Sequence, residues 1–179
     1  MHGIFFYEFK RYVDTRMGPD AWLRLLHAVG LQDRVYAPLD TYPDHEAMTL
    51  IKAASELSEQ SLQVLLEDFG TYIAPHLLHM FRAIIHPEWT TMDVLEHTER
   101  LIHAAVRVRN PGASPPRLYI ERLSPEEVRI EYRSPRRLCA FGIGIVRGIA
   151  RHFNEQVRID ESTCMYRGDP YCTIRVRKE

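Results

Sequence analysis

Three groups of side chains in this sequence have the types and spacing to do chemistry. His103 lies in the run MDVLEHTERLIHAAV, whose helical wheel puts Leu95, Ile102 and Val106 on one arc and His103 at its edge, beside Met92. His97 falls well away from that arc. An imidazole at the position of His103 suits a pocket between elements, where it either ligates a metal or serves as an ordinary structural histidine. In Tyr132-Arg133-Ser134-Pro135-Arg136, the period-two alternation of an extended chain brings Tyr132, Ser134 and Arg136 to one face. Two hydroxyls and a guanidinium form a clamp for a carboxylate; the other reading is a solvated strand end with Arg129, Arg133 and Arg137 nearby. Cys164 and Cys172 flank the turn Gly168-Asp169-Pro170, and Cys139 opens a helix. Three thiolates suit tetrahedral zinc, and the alternative is three small apolar packing residues.

The elements that must hold these groups change character along the chain. Residues 1 to about 108 carry helical patterns: Phe5, Phe9 and Val13 on one face up to Gly18-Pro19, then Trp22, Leu25, Leu26 and Val29 after an Asp20 cap and before Gly30. Pro43 opens a helix through Ala54, Ser61 caps another that ends at Gly70, and a short segment follows around Leu77–Phe81. A long helix starts at Thr90 or Thr91 and runs through Val106. PGASPPRL, residues 111–118, reads as a rigid extended turn. Beyond it, 118–123 and 127–133 read as antiparallel strands, 138–153 as a helix carrying Gly142 and Gly144, and 157–159, 164–167 and 172–176 as short strands. The expected class is α+β: a helical N-terminal part, then a roughly four-stranded antiparallel sheet with a crossing helix.

Bulk properties exclude several functions. The 179 residues are 45% hydrophobic and 26% charged, an ordinary globular balance for one domain. A net charge of −1 gives no electrostatic warrant for nucleic acid or acidic lipid. No apolar run approaches the roughly 20 residues of a membrane span, and the N-terminus has its charges in the wrong order for a secretory signal, so a cytoplasmic chain with no membrane partner is expected. No Gly-x-Ser-x-Gly element is present, and His76, His79 and His86 lack metalloprotease spacing, which argues against an enzyme.

Taken in order, His103, then Pro115-Pro116, then Tyr132-x-Ser134-x-Arg136 resemble the heme-nitric oxide/oxygen-binding (H-NOX) family, with Met1-His2-Gly3 and Tyr42-Pro43-Asp44 extending the resemblance over nearly the whole chain. The resemblance implies heme b held between a distal helical subdomain (1–65) and a proximal subdomain with the sheet (66–179). It makes His103 the iron ligand, Tyr132, Ser134 and Arg136 the propionate clamp, and Pro116 the contact that distorts the porphyrin. Oxygen-binding members carry a distal tyrosine where this chain has Phe141, which with Phe5 and Phe9 implies an apolar distal pocket that takes nitric oxide and carbon monoxide but holds oxygen poorly. A stand-alone member is expected to regulate a separate signalling protein, such as a histidine kinase or a cyclic-di-GMP enzyme. One subset of the family resembles the cysteine pattern here, with a histidine three residues before the second cysteine; that position is Glu161, which makes Cys139, Cys164, Cys172 and Glu161 the zinc set. The cysteines also resemble those of zinc-carrying small-molecule-binding domains related to 4-vinyl reductase, and a Cys/His enzyme is the third reading.

Overall fold

The computed structural model describes residues 1–110 and 112–179; Pro111, the first residue of the PGASPP segment, lies outside the described residues. Four helices come first: α1 (Gly3–Met17), α2 (Ala21–Ala28), α3 (Asp44–Leu57) and α4 (Leu62–Met80). The long helix of residues 91–109 is continuous but changes winding. It comprises α5 (Thr91–His97), a π-helical segment (Thr98–His103) and α6 (Ala104–Arg109). Strands β1 (Arg117–Ser124) and β2 (Glu127–Arg133) follow, then α7 (Cys139–His152), β3 (Val157–Thr163) and β4 (Cys172–Lys178). The four strands form one antiparallel sheet in the order β1-β2-β4-β3.

The α+β expectation therefore holds, with local corrections. Asp20 does not cap α2: its backbone is left-handed at φ 61° and its side chain makes no cap bond, while Asp14 accepts from the Trp22 amide at 3.0 Å. Gly70 does not end a helix, because α4 runs on to Met80. A Cβ at Gly70 would lie 2.2 Å from the Phe141 carbonyl oxygen, and one at Gly144 2.1 Å from that of Glu67. The glycines are there so that α4 and α7 can cross backbone to backbone. Residues 164–167 are not a strand; Met165–Arg167 form a 3-10 turn that folds Cys164 back toward Cys172.

Two apolar cores result. One gathers α1, α2, α3 and the first half of α4, including Phe6, Phe9, Leu50 and Phe69. The other lies between the sheet and α7, with Val128, Ile130, Tyr132, Ile143, Val146 and Ile174. Helix α4 spans both, giving Leu65, Leu66 and Phe69 to the first and Ala74 and Leu78 to the second, so a boundary at residues 65/66 falls inside a helix. Among the described residues no helix is long and apolar enough to cross a membrane.

Candidate functional site

A cavity of about 540 Å³ opens between the cores, within the range of small-molecule and cofactor pockets of ~300–1,000 Å³. One wall is apolar, built from Ile4 and Phe5 of α1, Ala74 and Leu77 of α4, and Phe141 and Ile145 of α7. The facing wall comes from Ile102, His103 and Val106 of the long helix and from Pro115, Pro116 and Leu118. Tyr132, Ser134 and Arg136 line the same cavity, so the fold brings the first two groups of candidate residues together. A second groove of about 700 Å³ over β1 and β2 is lined by Glu96, Glu99, Arg100, Glu121, Arg129 and Glu131 along with uncharged residues, and holds no histidine or cysteine.

His103 closes the π-helical segment. That segment carries more residues per turn than an α-helix, so each residue advances less about the axis, and a wheel drawn at 100° misplaces everything beyond residue 98. Side chains compensate at its entry: Thr98 Oγ1 donates to the Val94 carbonyl at 2.7 Å, and His97 Nδ1 sits 2.9 Å from that of Asp93. His97 packs against Trp89, with ring centroids 4.6 Å apart and planes tilted by 33°, and is absent from the cavity wall. The His103 Nδ1 lies 2.8 Å from Glu99 Oε2. Burial works to raise the Glu99 carboxyl, yet hydrogen bonds from His103 and Arg107 hold it below the usual carboxylate range. Burial holds His103 below the ordinary imidazole value, against the pull of Glu99. A carboxylate only accepts, so the neutral ring carries its hydrogen on Nδ1 and keeps a free lone pair on Nε2.

Tyr132 and Ser134 are buried at the cavity edge, and Arg136 is partly buried beside them. Burial pushes the Tyr132 phenol up to about 12, which keeps it protonated and able to donate. Arg136 Nε donates to Asp44 Oδ2 at 2.7 Å, and its Nη1 donates to the Ser114 carbonyl. The Met1 amine holds the other Asp44 oxygen at 2.6 Å. Asp44 is 92 residues from Arg136, and no local sequence signal joins them. Glu99 was legible in principle, since Glu99, His103 and Arg107 repeat at the i, i+4 spacing of one helix face.

On the apolar wall, Phe5 and Phe141 meet edge to face at 5.8 Å. Phe9 does not reach the cavity. It lies behind Phe5, fully buried against Trp22 and Phe69, because a helical turn carries it along the axis into the first core. None of the six residues of that wall has a side-chain hydrogen-bond donor. Tyr7 is exposed, and the Tyr72 hydroxyl is 3.3 Å from Thr15 Oγ1; both lie outside the cavity lining.

The third group converges as well. Ligand atoms of Cys139, Glu161, Cys164 and Cys172 lie within 4.8 Å of one another. The sulfurs of Cys139 and Cys164 are 3.8 Å apart, and a tetrahedron with zinc–sulfur bonds of about 2.3 Å has edges of about 3.8 Å. Glu161 Oε1 is buried without a hydrogen-bond partner, while Oε2 sits 3.7 Å from Arg167. An orphaned buried carboxylate oxygen costs free energy, and a cation among the three sulfurs would answer it. Burial pushes the Cys139 and Cys172 thiols up, so in the absence of a cation these sulfurs stay protonated. The Met165 amide donates to Cys172 Sγ at 3.3 Å, a contact that also suits a thiolate.

The cavity fits a heme: an imidazole with a free nitrogen, an apolar slot, and hydroxyls with a guanidinium for carboxylates at one edge. Comparison with known proteins agrees. The chain has a fold similar to a Shewanella oneidensis H-NOX protein solved in the Fe(II)NO ligation state, at TM-score 0.93 and 24% identity over 100% of this chain and 99% of that one. It is similar also to the same organism's H-NOX domain in the Fe(II)CO state, at TM-score 0.89 and 24% identity over 100% and 99% of the two chains. The unliganded Fe(II) H-NOX protein of K. algicida gives 0.87 and 23% over 100% and 97%. No curated protein matches the chain. The model of the Haem-NO-binding family matches residues 2–161, and on that match the chain belongs to the H-NOX family of heme-binding sensor domains, which are not enzymes.

Proposed function

We propose that this protein senses nitric oxide at a five-coordinate ferrous heme b and passes the signal to a separate protein. The observation that carries the reading is the convergence of His103, the Tyr132/Ser134/Arg136 cluster and the donor-free wall of Phe5 and Phe141 on one cavity. Heme, when bound, would supply an iron able to bind a diatomic gas. His103 offers Nε2 as the protein ligand to that iron. Arg136, Ser134 and Tyr132 hold the propionates, with the guanidinium giving the strongest, charge-assisted bonds. Pro116 lines the cavity together with His103 and would press on the macrocycle. The wall of Ile4, Phe5, Ala74, Leu77, Phe141 and Ile145 excludes water and offers no donor to a polar bound gas. Nitric oxide and carbon monoxide depend little on such a donor, whereas a stable oxygen complex needs one. Residues 1–65 act as the distal subdomain and 66–179 as the proximal one. Release of His103 and of the Pro116 contact would shift the two across α4 and α7, and a cytoplasmic partner such as a histidine kinase or a cyclic-di-GMP enzyme would read that shift.

We infer further that Cys139, Cys164, Cys172 and Glu161 hold a structural zinc. The unpartnered Glu161 oxygen beside three sulfurs supports this over a plain packing role. Absorption spectra of the ferrous protein test the main reading. Nitric oxide and carbon monoxide are each expected to move the Soret band, while air gives oxidation and no lasting oxygen complex; a long-lived oxygen spectrum would refute the selectivity argued from Phe141.

A further inference from the structure

Glu99 lies behind His103 with 28% of its side chain exposed, lining the groove over β1 and β2 rather than the heme cavity, and it bonds to groups on both sides of the imidazole. Its Oε2 accepts from His103 Nδ1 at 2.8 Å and from the Leu118 amide at 3.3 Å, and its Oε1 accepts from Arg107 at 2.7 Å. The carboxylate thus ties the π-helical turn to α6 and to the first residues of β1, directly after Pro115-Pro116. A histidine that ligates a metal donates its other ring hydrogen to an outer partner, and an anionic partner makes the ligand a stronger electron donor than a neutral one does.

From this geometry we infer that Glu99 is a positioning residue that sets the strength of the iron–histidine bond and so resists the loss of His103 when a gas binds. The inference rests on His103 being the iron ligand. Glu99 acts in three ways. It fixes the Nδ1–H tautomer that frees Nε2, it locks the ring plane, and it lends the imidazole part of its negative charge. Arg107 works against the last effect, because its guanidinium draws on the same carboxylate. Removing either partner therefore moves the bond in opposite directions, which a merely structural role would not do.

The test is resonance Raman spectroscopy of the ferrous, gas-free protein loaded with heme. In Glu99→Gln the iron–histidine stretch is expected at lower wavenumber. In Arg107→Ala, a half-exposed position whose loss leaves the fold intact, it is expected at higher wavenumber. With nitric oxide added, Glu99→Gln is expected to raise the ratio of five- to six-coordinate nitrosyl heme by on the order of 10–100-fold, the usual effect of losing such an outer partner. A stretch lost in His103→Gly yet unmoved in both Glu99→Gln and Arg107→Ala would overturn the role of Glu99 and leave His103 as the ligand. A stretch that persists in His103→Gly would overturn the ligand assignment itself. Should Glu99→Gln fold poorly, the Arg107→Ala shift decides alone: a move to lower wavenumber, or none, refutes the inference.

Discussion

Arg136→Ala should separate the clamp from the scaffold around it. The guanidinium has a side-chain exposure of 15% and donates to Asp44 Oδ2 at 2.7 Å and to the Ser114 carbonyl, with Tyr132 and Ser134 beside it on the cavity edge. Hydrogen bonds to charged groups contribute about 1.5–3 kcal/mol each. For heme, the loss of one such bond to a propionate amounts to a 10–100-fold faster escape at roughly 1.4 kcal/mol per factor of ten. The Asp44 bond contributes less, because that carboxylate is 41% exposed and screened by water. Taken as about 1 kcal/mol, it lowers Tm by roughly 2–4 °C in a chain of this length. Asp44→Asn is the control: it removes the ion pair but leaves the guanidinium free for the propionate. The assay is transfer of heme to apomyoglobin, followed by absorbance, with Tm measured on the same samples. Fast transfer in Arg136→Ala, but not in Asp44→Asn, is the expected result. Unchanged transfer in Arg136→Ala, and in the triple alanine variant of Tyr132, Ser134 and Arg136, would refute the clamp.

Elemental analysis of protein purified without chelator should find about one zinc per chain, lost in Cys172→Ser and weakened in Glu161→Gln; three freely titrating thiols with no metal would leave a packing cluster. Gly144→Val should destabilise the fold by about 1–3 kcal/mol or more, since the added carbon meets the Glu67 backbone rather than a flexible side chain, and a thermal melt equal to wild type would refute the backbone crossing. Acid stability follows from Glu46, whose carboxyl is held below its usual range by hydrogen bonding to Arg34, against burial, and from Asp93 and Glu155, both held low against burial by their hydrogen bonds. Folded values below the unfolded ones mean that this stabilisation is complete above the unfolded range near pH 4–4.5 and fades as pH falls through the folded values. Melts from pH 7 to 3 should show that loss, with Glu46→Gln less stable at pH 7 and less sensitive to acid.

The sequence by itself determined the α+β order of elements and the pairing of β1 with β2, because hydrophobic period and turn residues are local properties. It also carried the cavity's chemistry in the residue types of His103, Tyr132, Ser134 and Arg136, but alternation places only Tyr132. Strand β2 ends at Arg133, and a turn closed by the Arg137 amide on the Ser134 carbonyl brings Ser134 and Arg136 to the cavity. The tertiary structure decided what depends on distant backbone. Gly70 reads as a helix end until Gly144 is packed against the same helix, and Phe9 reads equally as pocket or core until Phe5 is seen to cover it. The π-helical turn leaves no periodic trace over six residues, so a wheel could put His103 only at the edge of the apolar arc. Asp44 became a partner of Arg136, and Glu161 a neighbour of three sulfurs, through contacts between elements. Local patterns choose the elements, while burial and close packing choose which side chains are left without water and must find one another.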